Sequence, residues 1–433
     1  MNNFKAKEFE SKLLSEKYVR YTHSSGLDVF IFPKKMSTLY ALFGVKYGSV
    51  DNSFITPDGK EITVPDGIAH FLEHKLFTNE DGSDSFERFS DYGADANAYT
   101  SFNKTAYLFS CSDELESSLG ELIDFVTHPY FTPDSVESEI GIIAEEIRMY
   151  DDNPGDRCFY GMLEGMYKSH SIRRNICGTK ASISKITADT LYDCYRSFYR
   201  PNNMALVICG DVDAERLLNL IDVRLPESFC GSSVTRVNEN QFEAPCVLSE
   251  YTERQMQVSK PIFSIGFKDT DISDDPRKRL RKDALMAIVN EILFSRAGDF
   301  YSSLFERKII SPAFSYGYTI SASFAYNSLA GEADDPRLVL DEVKKHIEDV
   351  KRTGLDRGEF ERAKRVMYAE SVKLFDSVES IANALFSAFC EDEELFEYAE
   401  IISGITYEDA QKQFEEFFDN YSATLSVVSP ITH

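Results

Sequence analysis

His70-Phe71-Leu72-Glu73-His74 places two imidazoles and a carboxylate within five residues. On a helix, positions i, i+3 and i+4 share a face, so His70, Glu73 and His74 project toward one point. Two imidazoles held this way can grip a zinc ion, and a carboxylate beside them can take a proton from water that the ion activates. Ile68, Phe71, Leu72 and Leu76 supply an apolar stripe, and Pro65-Asp66-Gly67 reads as a turn just before it, so the local sequence suits a helix. The plainer alternative is a half-buried amphipathic helix whose histidines are simply hydrogen-bonded.

A catalytic zinc takes three protein ligands and keeps a fourth position open. The best source of the third is Glu139-Ile140-Gly141-Ile142-Ile143-Ala144-Glu145-Glu146-Ile147-Arg148-Met149-Tyr150, which reads as a helix. Glu139 and Glu146 are two turns apart and share a face, whereas Glu145 is rotated from Glu146 by about 100°. Ile142 and Ile143 are read onto the Glu139/Glu146 side, making that face apolar and inward, where a carboxylate needs a partner. Solvated acids on an amphipathic helix are the ordinary alternative.

The elements that must position these groups belong to a chain of 433 residues, too long for one core. Hydrophobic content of 43% with 13% aromatic residues suits packed interiors. No apolar run approaches membrane-spanning length, and the N-terminal residues from Met1 are polar and helical in pattern, without a signal-peptide core, so a cytoplasmic protein is expected. Eight cysteines are scattered without a Cys-x-x-Cys pair, which argues against a thiolate metal site and for buried, apolar thiols. A net charge of −26 repels nucleic acid and anionic membranes, and neither is expected as a partner.

The second half reads as a degenerate copy of the first. Ile183-Ser184-Lys185-Ile186-Thr187 recurs as Ile402-Ser403-Gly404-Ile405-Thr406, each followed by an amphipathic helix and then a β-type run, Ala205–Ile208 or Thr424–Val427. Strand patterns near Leu27–Phe32, Leu39–Tyr47 and Ala96–Ser110 are grouped with helices near Glu114–Val126 and Pro133–Tyr150. The expected fold is α+β: two homologous domains, each a mainly antiparallel sheet packed against helices. Residues 1–227 would carry the metal, 228–245 would link, and 246–433 would be a degenerate domain. Aligning Leu76-Phe77 with Leu293-Phe294 puts Ala287, Asn290 and Glu291 opposite His70, Glu73 and His74, so the second half lacks the metal ligands.

The zinc motif, its order and the downstream glutamate resemble the pitrilysin/insulinase family of metallopeptidases, the inverzincins. Gly93-Ala94-Asp95-Ala96-Asn97-Ala98-Tyr99-Thr100, followed by Thr105-Ala106-Tyr107, is similar to the family's active-site edge strand. Phe198-Tyr199-Arg200-Pro201-Asn202-Asn203-Met204 through Gly210-Asp211 is similar to the segment closing its first domain. The likeness spans essentially the whole chain and is nearest the short bacterial two-domain members. It implies His70, His74 and Glu146 as ligands of one zinc per chain, Glu73 as general base, and Glu139 as a supporting acid. It also implies Asn97, Ala98 and Tyr99 as the strand that binds peptide by sheet extension.

The resemblance departs at the Arg and Tyr that hold the substrate carbonyl. The equivalent segment, Leu304-Phe305-Glu306-Arg307-Lys308-Ile309-Ile310 to Phe314-Ser315-Tyr316, has Phe305 at the Arg position, leaving Arg307 and Tyr316 as substitutes. The implied function is zinc-dependent endopeptidase action on short or unfolded peptides. The missing donors would come from a related chain lacking zinc ligands in a heterodimer, with a homodimer as the fallback. The rival reading is a non-catalytic or weakly active subunit or scaffold of a larger peptidase complex, a role whose bearers usually lose the motif.

Overall fold

The computed structural model describes residues 3–231, 235–237 and 243–431. The chain divides into two compact units: Met1–Ile147 with Asn175–Val237 and Lys373–Phe396, and Arg148–Arg174 with Asn238–Val372 and Glu397–His433. Each holds a mainly antiparallel sheet packed with helices, the α+β class. Neither unit is a contiguous stretch of sequence, because each takes one helical segment from the other half. Of the expected linker, residues 232–234 and 238–242 lie outside the described residues.

The first unit opens with a hairpin of β1 (Phe4–Ser11) and β2 (Glu16–His23), paired from Phe4↔His23 to Ser11↔Glu16. This corrects the helical pattern expected at the N-terminus. Phe9 stacks on Tyr18 across the pair at 4.8 Å, and such cross-strand packing overrides local periodicity. β3 (Asp28–Pro33) and β4 (Leu39–Val45) follow, then two short strands, β5 (Ser53–Ile55) and β6 (Glu61–Thr63). The stretch expected as one strand over 96–110 is a second hairpin, β7 (Asp95–Thr100) and β8 (Thr105–Cys111). The chain reverses where Ser101 N donates to Lys104 O at 2.8 Å.

β9 (Met204–Gly210) is buried at every position and lies between β3, its one parallel neighbour, and β4. The sheet order is β1-β2-β3-β9-β4-β8-β7, which leaves β7 at an edge. β10 (Thr235–Arg236) joins β5 and β6 in a small sheet. One face of the large sheet packs the motif helix (Ile68–Leu76) and Leu115–Thr127. The other is covered by Val378–Cys390, whose Ile381, Ala382, Leu385 and Phe386 share a core with Phe30, Phe32, Leu42 and Val207. Gly44 makes room for this helix: a Cβ there would lie 2.1 Å from the Phe386 ring.

The second unit repeats the plan. β11 (Tyr251–Met256), β12 (Ile262–Asp269), β13 (Ser315–Ile320), β14 (Ala325–Glu332) and β15 (Ser422–Pro430) form a sheet ordered β11-β15-β12-β14-β13. Helix Pro154–Met166, from the first half of the sequence, packs on β11, β12 and β15. The repeated Ile-Ser-x-Ile-Thr segments are helix starts. Thr187 and Thr406 each close a capping box, with Thr190 and Asp409, before helices that lead to β9 and β15. Among the described residues no helix is long and apolar enough to cross a membrane.

Glu243 ties the segment after Pro154–Met166 into this unit. Its carboxylate accepts from the backbone N–H groups of Lys168 (3.2 Å), Ser169 and His170 (2.7 Å), and from Lys268 Nζ at 2.8 Å. Burial opposes ionisation of Glu243, but Lys268 and these N–H groups bring its pKa down to about 2.

Two tests follow from this packing. Phe386→Ala removes a fully buried ring and should cost about 3–5 kcal/mol. Denaturant melts should show the loss in the unit bearing the motif helix, and a change below about 1 kcal/mol would remove Val378–Cys390 from its core. Because the folded pKa of Glu243 lies below its unfolded value of about 4.3, its contribution is complete above that value and is lost as pH falls toward the folded one. The stability gap between the parent and Glu243→Gln should therefore be widest above about pH 5 and close toward pH 2. A gap that is flat with pH contradicts the assignment.

Candidate metal centre

The motif helix begins after Gly67, whose φ of 91° only glycine adopts easily. Burial of Ile68, Phe71, Leu72 and Leu76 fixes its rotation and leaves His70 and Glu73 buried as well, 7% and 8% exposed. Helix Pro133–Asp151 buries Val136, Ile143, Ala144 and Ile147, which turns Glu139 and Glu146 partly inward. Ile142 is a correction: it is 57% exposed, at the border of the face that Ile143 centres.

Glu146 lies between the two imidazoles. Its Oε1 is 3.5 Å from His70 Nε2 and its Oε2 is 3.4 Å from His74 Nε2, with the rings 4.6 Å apart. These separations exceed good hydrogen bonds. Each is close to the roughly 3.4 Å edge between nitrogen and oxygen donors at 2.0–2.1 Å about zinc, one edge through each oxygen of the carboxylate. The other nitrogen of His74, Nδ1, is 3.1 Å from Glu139 Oε1, and the second oxygen of Glu139 is 3.5 Å from the buried Lys75 ammonium. A carboxylate behind a ligating imidazole fixes its tautomer and orientation. Among the described residues His70 Nδ1 is buried without a hydrogen-bond partner, and the polar contacts of that ring run through Nε2. Two imidazoles converging on one carboxylate, with a second carboxylate behind, fit a zinc ion.

The electrostatics favour a cation here. Burial opposes charge on His74, yet Glu139, Glu146 and Glu73 raise its pKa to about 10. The adjoining imidazoles of His70 and His74 hold Glu146 far below the usual carboxylate range, against its burial. Burial works against Glu139 too, but His74 and Lys75 bring it down. Glu73 goes the other way: burial raises it, against His70, Thr100 and His74.

Thr100 Oγ1 donates to Glu73 Oε2 at 2.5 Å, joining edge strand β7 to the motif helix. Asn97 Oδ1 accepts from Ala98 N at 2.8 Å, so one backbone donor of β7 is satisfied by a side chain. Tyr99 turns to the other face of the sheet and donates to Asn383 Oδ1 at 3.0 Å. Among described strands β7 pairs only with β8, and its outer edge is open.

Tyr316 and Arg307 belong to the second unit. Tyr316 donates to Glu291 Oε2 at 2.5 Å, and Glu291 is also paired with Arg362 Nη1 at 2.6 Å. Asn290 and Asn327 exchange amide hydrogen bonds at 2.7 and 3.0 Å. The positions opposite Glu73 and His74 are thus closed by neutral and paired groups. Arg307 pairs with Glu342, while Phe305 is exposed and stacks on Tyr301.

Three contributors were missed at the sequence level. Lys75 was legible as a lysine on an apolar helix face, and Thr100 as the last residue of the edge-strand segment. Cys177 carried no signal in its spacing, yet its sulfur lies 3.8 Å from His70 Nε2. The expectation that every thiol is buried is also corrected, since Cys230 and Cys246 are exposed.

Residues 60–180 match the family model of Insulinase (Peptidase family M16), and residues 185–367 that of the Peptidase M16 inactive domain. The Bacillus subtilis (strain 168) protein named "Uncharacterized zinc protease YmfH" is 39% identical over 95% of this chain and 96% of its own length. A putative M16-like peptidase from Alicyclobacillus acidocaldarius superposes with a TM-score of 0.89 at 30% identity, covering 99% of both chains. A Helicobacter pylori protease shares the fold with a TM-score of 0.79 at 17% identity, over 96% of this chain and 100% of that one. Motif, architecture and relatives agree, and the chain belongs to the pitrilysin/insulinase family of peptidases, family M16.

Proposed function

We propose that this chain is a zinc-dependent endopeptidase acting on short or unfolded peptides. The observation that carries this reading is the convergence of His70 Nε2 and His74 Nε2 on the Glu146 carboxylate, with buried Glu73 alongside. His70, His74 and Glu146 would hold one zinc, and Glu139 and Lys75 would hold His74 in place. A zinc ion in such a set supplies Lewis acidity toward a peptide carbonyl and toward water. Glu73 accepts the proton of the attacking water and delivers it to the leaving amine. Burial raises its proton affinity for that task, and Thr100 holds the carboxylate in position.

Substrate joins the open edge of β7 as an added strand, with Asn97 and Ala98 offering backbone groups once the Asn97 amide releases Ala98 N–H. Only an extended backbone can pair this way, which selects short or unfolded chains. All eight cysteines are unbridged, as a reducing compartment such as the cytoplasm requires. The hydroxyl of Tyr316 and the guanidinium of Arg307 are already paired with carboxylates. That supports a heterodimer in which a related chain without zinc ligands supplies the donors to the carbonyl, with a homodimer as the second arrangement.

His70→Ala and Glu146→Gln should abolish stoichiometric zinc in the purified protein. Glu73→Gln should keep the metal and lower kcat at least about a hundredfold, and an unchanged rate would sink its role as base. Glu139→Gln should weaken zinc binding about 10–100-fold in chelator competition. On the partner question, the chain assayed alone should cleave peptides weakly, and a co-expressed sister chain should restore the rate. Strong activity of the single chain that is lost in Tyr316→Phe or Arg307→Ala would replace the heterodimer with a homodimer.

A further inference from the structure

We propose that Cys177 is a fourth protein ligand to the metal of the His70, His74 and Glu146 set, a thiolate that caps the position a hydrolytic zinc leaves to water. The inference rests on the reading of that set as a zinc site. The ligand atoms of His70, Glu146 and Cys177 all lie within 4.8 Å of one another, while His74 stands outside that cluster and meets the second Glu146 oxygen at 3.4 Å. Cys177 Sγ is 3.8 Å from His70 Nε2, and both side chains are more than nine-tenths buried. Around zinc, with nitrogen at about 2.0–2.1 Å and sulfur at about 2.3 Å, a tetrahedral edge between them is about 3.6 Å.

The backbone puts the thiol there. Residues 175–178 form a turn in which Cys177 N donates to Asn175 Oδ1 at 2.9 Å and Gly178 N to Asn175 O at 2.8 Å. This turn is seated against the start of the motif helix at a distance that two glycines permit. A Cβ on Gly67 would stand 2.5 Å from Cys177 O, and one on Gly178 would stand 2.4 Å from Asp66 O. Both glycines have positive φ, 91° and 72°. The direction of the Cys177 side chain is therefore set by the same contact that starts the helix bearing His70.

On ligation the thiol loses its proton to solvent and the sulfur donates to the metal. A four-coordinate His₂GluCys set is the closed type that zinc adopts in structural sites, whereas hydrolysis needs one position open. Peptide hydrolysis then requires water to displace the sulfur, so the resting chain is held back by its own thiol.

X-ray absorption at the zinc edge of the full-length, zinc-loaded protein tests this directly. The expected result is one sulfur at about 2.3 Å in the parent, replaced by nitrogen and oxygen donors alone in Cys177→Ser. The cobalt-substituted parent should show a thiolate-to-metal charge-transfer band that the same variant lacks. A parent spectrum with nitrogen and oxygen only, or a sulfur signal that persists in Cys177→Ser, overturns the proposal. If the parent shows nitrogen and oxygen only and still cleaves peptides, the peptidase reading stands without the cap. If sulfur is present but neither the parent nor Cys177→Ala cleaves any peptide, the ligand stands and the peptidase reading falls. The parent spectrum decides the ligand even if the variants fail to fold.

Discussion

Glu146 sits half-buried between two imidazoles in the first unit, and the balance of charge at that point sets the terms for what surrounds it. Three carboxylates, Glu73, Glu139 and Glu146, gather around His70 and His74. Burying that much negative charge is costly unless cations balance it. Lys75 neutralises the outer side through Glu139. On the inner side stand the imidazoles, the Thr100 hydroxyl and the Cys177 sulfur, a donor set that accommodates a divalent cation. The opposite shifts of Glu73 and Glu146 have the same origin: one carboxylate is stabilised by direct imidazole contacts, while burial dominates the other.

The second unit shows what the same architecture does once that charge balance is changed. Glu291 takes the position opposite His74, and its charge is met by Arg362, with Tyr316 donating to the second oxygen. Asn290, opposite Glu73, forms a reciprocal amide pair with Asn327. Each polar group finds its partner within the protein, and no donor set is left for a metal at these positions. The packing frame is nevertheless repeated: five or seven strands, a central buried strand, and helices that begin at a Thr capping box.

Positioning of the centre depends on a sheet whose two faces are both covered. Val378–Cys390 closes one face through Phe386 over Gly44, and the motif helix lies on the other, where Thr100 reaches Glu73. β7 is thereby held at the edge with its outer side open, which brings a strand-pairing surface beside the candidate base.

Spacing along one helix was legible in the sequence because it is local. The five-residue motif and the two-turn separation of Glu139 and Glu146 follow from 3.6 residues per turn, whatever the rest of the chain does. The repeated Ile-Ser-x-Ile-Thr segments and the α+β grouping were legible for the same reason, since repeats and periodicity are properties of short segments, whereas the capping boxes of Thr187 and Thr406 came from the structure. The N-terminal hairpin was not, because pairing of Phe9 with Tyr18 is a contact between strands that local pattern does not report. Nor was the exchange of Val378–Cys390 and Pro154–Met166 between the two halves, for burial partners far apart in sequence leave no periodic trace. Cys177 is the clearest case. Its residue type was visible, but its place beside His70 comes from a turn packed through two glycines against the helix start, and only tertiary structure brings 177 to 70.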